Sequence, residues 1–119
     1  MNVAVIGASD KHDRFSYQAV KLLQQKGHQV YPVHQRIKDI DGTSVFASIK
    51  DIPDAIDTVS MYVAAGISDQ LAEDIISCNP KRIIFNPGAE NPAFAQKAQS
   101  KGIKTLDACT LVMLRTEQF

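Results

Sequence analysis

Short apolar runs alternate with helix-length amphipathic segments along the 119 residues of this chain. Residues 3–6 are apolar throughout, as expected for a strand that is buried on both faces of a parallel sheet. In residues 15–26 the apolar positions recur at helical spacing, and Gly27 ends the pattern. The same criteria predict further strands at 29–33, 58–63, 82–85 and 104–106, and further helices at 67–78, 91–101 and 111–115.

This alternation predicts βαβ units joined by right-handed crossovers. The expected fold class is α/β: one domain over residues 1–119, Rossmann-like, with a doubly wound parallel sheet of about five strands in the order 2-1-3-4-5. Residues 35–57 are less regular, and we expect a short edge strand at 44–46 and a turn of helix before Pro53. Ligands of such sheets bind beyond the carboxyl ends of the strands. The segments at that edge are 7–14, 33–38, 63–67, 86–90 and 107–110.

The charge balance and the cysteine spacing limit the kinds of partner that this protein is expected to bind. Thirteen acidic and thirteen basic residues balance, so the chain lacks the basic excess that nucleic-acid or membrane partners favour. The first apolar run is far too short for a signal sequence or a membrane span. Cys78 and Cys109 form no metal-type pair. We therefore expect a cytoplasmic protein with reduced thiols and no metal site.

The turn after the first strand has the features of a phosphate-binding turn. Gly7 allows the backbone to approach a ligand closely, and the Ser9 hydroxyl with free N–H groups can hold phosphate oxygens. The following helix N-terminus adds partial positive charge, which favours a pyrophosphate. The alternative is an ordinary strand-to-helix turn in which a serine or aspartate caps the helix.

Other nucleotide sites are disfavoured by what the chain lacks. The dinucleotide fingerprint needs further glycines where Ser9 and His12 stand, and an acidic residue after the second strand, which ends Val33-His34. NAD is therefore disfavoured. No G-K-[ST] follows the turn, which excludes a P-loop. The third strand ends in Met61-Tyr62-Val63 without the aspartate of a phospho-receiver domain.

Six short segments follow one another along the chain: residues 3–9, 14–17, 30–33, 49–53, 86–90 and 107–109. As an ordered set they resemble the stand-alone CoA-binding domain proteins. These small bacterial and archaeal proteins are similar to the CoA-binding domain of the succinyl-CoA synthetase alpha subunit. The family usually has Val-Asn-Pro where this chain has Val33-His34-Gln35, and a proline-led segment where it has Thr110-Leu111. The resemblance covers nearly the whole chain and implies coenzyme A or acyl-CoA as ligand.

The candidate cofactor-binding residues follow from this resemblance and from the sheet edge. The pyrophosphate suits the Gly7 turn with Arg14 as a charged partner, and Arg36 and Lys38 suit the 3′-phosphate or ribose. Small residues at 63–65 leave room for the adenine and the pantetheine arm. The full set is Gly7, Ala8, Ser9, Arg14, Ser16, Tyr17, Val33, His34, Arg36, Lys38, Val63, Ala64, Ala65, Ile67, Asn86, Pro87, Gly88, Ala89 and Cys109.

No catalytic residue is assigned. Glu90 is placed to favour a helix dipole, and Cys109 is either an inert thiol or the partner of a mixed disulfide with CoA. The leading hypothesis is a small, non-catalytic CoA or acyl-CoA binding module or sensor, with a homo-oligomer or a partner protein left open. One alternative is a ligase-like domain that acts with a partner chain. Another is an NAD(P)-binding regulator or oxidoreductase subunit.

Overall fold

The computed structural model describes residues 1–119, in which strands and helices alternate as the sequence predicts. No helix is long and apolar enough to cross a membrane; the longest has 13 residues. In chain order the elements are β1 (Asn2–Ile6), α1 (Phe15–Gln25), β2 (Gln29–Val33), β3 (Asp39–Ile40), β4 (Thr43–Ser44), a 3-10 turn (Ile49–Asp51), β5 (Thr58–Met61), α2 (Ala65–Ser77), β6 (Arg82–Phe85), α3 (Pro92–Ser100), β7 (Lys104–Asp107) and α4 (Thr110–Arg115).

The central sheet is parallel, with the strand order β2-β1-β5-β6-β7. This is the predicted order, and the predicted fold class is confirmed. Its central strands are buried on both faces, which explains the apolar runs at residues 3–6 and 83–85, while buried β5 also contains the polar Thr58 and Ser60. Ile75 and Phe94 of α2 and α3 pack on one face, and Leu23 and Leu114 of α1 and α4 pack on the other.

The third strand of this sheet ends earlier than expected. It was predicted to continue to Val63, but β5 stops at Met61, and only the N–H of Tyr62 still reaches β1, donating to the Ile6 carbonyl at 2.9 Å. The reason is that β1 turns away at Gly7, so Val63 has no strand beside it. The freed chain enters α2 at Ala65, two residues before the predicted start.

The irregular segment contains a hairpin that was not predicted. β3 and β4 pair antiparallel through Asp41 and Gly42, whose φ angles of 48° and 87° match a type I′ turn. The expected edge strand at 44–46 is replaced by β4 and a single parallel bridge between Phe46 and Val33. This bridge covers the outer edge of β2. The expected turn of helix before Pro53 is the 3-10 turn.

Candidate ligand site at the carboxyl edge of the sheet

A cleft of about 660 Å³ opens where β1 and β2 end. One wall is formed by residues 34–36 and 47–49, and the other by α2. Eight of its fifteen lining residues are hydrophobic, so it can enclose an apolar or aromatic group while polar groups lie around it. Its size is ordinary for a small-molecule site. Six residues expected at the site line it: Gly7, Val33, His34, Arg36, Val63 and Ile67.

The rest of the cleft wall was missed from the sequence. On α2 the spacing from Ile67 offered a usable signal, because Gln70, Leu71, Asp74 and Ile75 follow it at helical intervals on one face. Residues 47–49 gave no such signal, since they reach the cleft only through the tertiary bridge of Phe46 to β2. The missed residues are Ile6, Gln35, Ala47, Ser48, Ile49, Gln70, Leu71, Asp74 and Ile75.

Gly7 is required both for its backbone angle and for a close contact. Its φ is +83°, and an added Cβ would lie 2.7 Å from Cγ1 of Val63. The N–H groups of Gly7 and Ala8 both donate to the Val33 carbonyl, at 3.0 and 3.2 Å. They are therefore not free, which corrects the expectation for this turn. Free backbone donors begin at Ser9, whose Oγ accepts the Lys11 N–H at 3.1 Å.

Three helices begin at this edge without a side-chain cap. The first turns of α1, α2 and α4 have neither a capping side chain nor an acidic residue. The start of α3 differs, because Asn91 accepts the Phe94 N–H there at 3.1 Å. The starts of α1 and α2, the two longer helices, thus carry their partial positive charge without a capping side chain or a first-turn carboxylate, which suits an anion.

Besides Val33, which lines the cleft, four of the expected site residues are buried in the fold: Ala8, Ser16, Asn86 and Ala89. In Asn86, both the nitrogen and the oxygen of the side-chain amide form hydrogen bonds within the fold. Its Nδ2 donates to Ser60 Oγ at 2.9 Å and to the Met61 carbonyl at 2.8 Å, and its Oδ1 accepts the Thr110 N–H at 2.8 Å. It therefore ties together β5, β6 and the start of α4 and has no polar atom left for a ligand.

Tyr17 contacts the hairpin. Its hydroxyl donates to Asp41, and its ring stacks on His12 with the centroids 4.5 Å apart. This hydrogen bond lowers the pKa of Asp41 and raises that of Tyr17. The loop after Ser9 is thereby connected to the β3–β4 hairpin. The remaining expected residues lie outside the cleft: Ser9, Arg14, Lys38, Ala64, Ala65, Pro87, Gly88 and Cys109.

Tyr62, Cys109 and Glu90 also lie at this edge. The Tyr62 hydroxyl is buried and makes no hydrogen bond of standard geometry, and this burial raises the pKa of Tyr62 to about 12 against an opposing, smaller effect of the nearby Thr110 and Ser60 hydroxyls. It therefore stays protonated at neutral pH. Cys109 is a free, half-buried thiol at the start of α4. Glu90 accepts the Gly88 N–H at 2.9 Å and so helps to hold the turn after β6.

Comparisons with known proteins identify the family. The model of the CoA binding domain matches residues 1–115. An uncharacterized protein of Bacillus subtilis, YneT, is 28% identical over 111 residues, which cover 92% of this chain and 82% of that protein.

Two further relatives come from Pyrococcus species. The alpha subunit of an ADP-forming acetate–CoA ligase II of Pyrococcus furiosus is 32% identical over 82 residues, which cover 68% of this chain but only 17% of that subunit. A hypothetical protein from Pyrococcus horikoshii superposes with a TM-score of 0.91 at 27% identity, covering 96% of this chain and 81% of that one. The sequence resemblance, the sheet and the family match agree: this chain belongs to the CoA-binding domain family.

Proposed function

We propose that this protein binds coenzyme A or acyl-CoA at the carboxyl edge of its sheet. The observation that carries the proposal is the largely apolar cleft of about 660 Å³ beside the uncapped starts of α1 and α2. An apolar cavity suits the adenine, and helix N-termini suit the phosphates. Membership of the CoA-binding domain family supports this choice of ligand.

The phosphate contacts are proposed from the donors that remain free. The Ser9 N–H and the first-turn amides of α1 would hold the pyrophosphate, with exposed Arg14 as the charged partner. Arg36 lies in the cleft wall and is the better candidate for the 3′-phosphate. Lys38 is exposed where the hairpin begins and lies outside that wall.

We favour a binding module or sensor without a reaction of its own. The polar side chains at this edge support that view, because most are engaged in holding the fold. Asn86 connects three elements, Glu90 holds a turn, and the Tyr62 hydroxyl is enclosed. They leave backbone donors and basic side chains as the groups best placed to meet a ligand.

A second candidate is a ligase-like domain that acts with a partner chain. The match to a ligase alpha subunit of which this chain spans 17% favours it. So do three exposed apolar side chains near the starts of α1, α2 and α4. Phe15, Ile67 and Val112 are 69%, 55% and 54% exposed around the same edge. They would contact a partner chain or the acyl end of the ligand.

A thermal-shift panel tests the proposal, with CoA, acetyl-CoA, NAD, NADP, ATP and FMN as ligands. At about 100 times its dissociation constant, CoA should add about 2.7 kcal/mol to the stability of the fold. This corresponds to a rise in Tm of roughly 10 °C for a domain of this size. A shift with NAD or NADP but not with CoA would favour the NAD(P)-binding alternative. No shift with any ligand would contradict stand-alone binding and favour the partner-dependent candidate.

A further inference from the structure

The His34 side chain holds the turn that forms one wall of the cleft. Its Nδ1 accepts two backbone N–H groups, from Arg36 at 3.0 Å and from Ile37 at 3.1 Å. The backbone N–H of His34 donates in turn to the Phe46 carbonyl at 3.0 Å. A ring nitrogen that accepts hydrogen bonds carries no proton. The observed turn therefore requires neutral His34 with its proton on Nε2.

Protonation of His34 is incompatible with this turn. A proton on Nδ1 would face the two N–H groups that now donate to it, so both bonds would be lost and the ring would have to rotate. Ile37 packs against the core under α1 and α4, which anchors the end of the turn. The rearrangement of the turn should therefore move Gln35 and Arg36, which line the cleft.

The charged groups around His34 do not replace the lost bonds. In the turn of His34 itself, Arg36 lies in the cleft wall and the exposed Lys38 follows it. Asp74 of α2 is the one carboxylate in that wall, and it forms a salt bridge with Lys50 at 3.8 Å. The lining residues from β1 and from 47–49 are uncharged. No other group in the structure accepts the N–H groups of Arg36 and Ile37.

We propose that His34 is a positioning residue whose neutral ring shapes the cleft for the nucleotide end of the ligand. A protonated His34 should then support weaker binding than a neutral one, because the Arg36 and Ile37 N–H groups lose their acceptor. This inference rests on the proposed function, because it assigns a role to one residue of that site.

The binding test uses dephospho-CoA, which lacks the phosphate monoester that itself titrates near about pH 6. Calorimetric titration of the wild type should show weaker binding at about pH 5.5 than at about pH 7.5, because a protonated ring cannot accept the two N–H groups. His34→Asn should keep nearly the same affinity at both pH values, because an asparagine oxygen can accept the same two N–H groups without titrating. His12→Asn is the matched control, since His12 lies at the same edge, and it should retain the wild-type dependence.

A ligand-free measurement tests the turn by itself. Nitrogen-15 NMR of the histidine rings should show unprotonated Nδ1 for His34 at neutral pH, and the amide signals of Arg36 and Ile37 should follow its titration. A proton on Nδ1 at neutral pH would overturn the inference, as would an unchanged pH dependence of binding in His34→Asn. Absence of any binding at about pH 7.5 would contradict the proposed function and the ligand part of this inference together. The ring spectra would still decide whether His34 holds the turn.

Discussion

Replacing Gly7 by alanine should destabilise the fold for two separable reasons. The first is backbone strain, because a residue with a Cβ at φ +83° costs about 1–2 kcal/mol. The second is the contact at 2.7 Å between the new Cβ and Cγ1 of Val63, with the Tyr62 carbonyl at 3.4 Å behind it. Val63 is β-branched and cannot rotate freely, so this overpacking adds about 1–3 kcal/mol. We expect a total loss of about 2–5 kcal/mol in the free energy of unfolding.

Gly102→Ala provides the matched control. Gly102 has nearly the same φ, +82°, but an added Cβ there meets nothing within 4 Å. Its substitution should cost only the backbone strain, about 1–2 kcal/mol. Urea unfolding of both variants gives the difference directly. Combining Gly7→Ala with Val63→Ala should recover at least about 1 kcal/mol relative to additivity, because the clashing methyl group is gone. Equal losses for Gly7→Ala and Gly102→Ala, without coupling to Val63, would refute the reasoning.

Three further predictions concern single side chains. In calorimetry, Arg36→Ala should weaken the binding of CoA about tenfold and leave the binding of dephospho-CoA nearly unchanged, whereas Lys38→Ala, outside the cleft wall, should change neither. Equal losses for both ligands would mean that Arg36 does not contact the 3′-phosphate. Asn86→Ala should lower the free energy of unfolding by about 2–4 kcal/mol in urea, because it leaves buried donors and acceptors of three elements unpaired. Tyr62→Phe should be neutral or stabilising by about 1 kcal/mol, since the hydroxyl it removes is buried without a partner; a loss above about 1 kcal/mol would show that the hydroxyl is bonded in solution.

The sheet could be predicted from sequence because its signals are local and mutually consistent. Uniformly apolar runs mark strands covered on both faces, and right-handed crossovers leave few strand orders to consider. The hairpin was missed although it had a local signal, the Asp41-Gly42 pair that favours a type I′ turn. That pair was overlooked because β3 and β4 have only two residues each.

The site was predicted less completely, because several of its features depend on tertiary contacts between distant parts of the chain. The sequence predicts a ligand-binding role for Gly7, which stays a prediction, but it does not predict that the Val33 carbonyl accepts the N–H groups of Gly7 and Ala8. Asn86 follows a strand, so the sequence suggests that its side chain is free to contact a ligand. In the structure its amide is instead hydrogen-bonded to groups 24–26 residues away along the chain. The segment 47–49 joins the cleft because Phe46 pairs with β2, a long-range contact that no local pattern specifies.

The central claim is that CoA binds in the cleft at the carboxyl edge, and an amide NMR titration of the protein with CoA tests it most directly. We predict saturable shifts in residues 9–15, 34–36 and 63–67, around the cleft and the start of α1. The opposite end of the sheet, where His28 lies against Phe119, should not respond. No shifts, or shifts confined to that opposite end, would contradict the account.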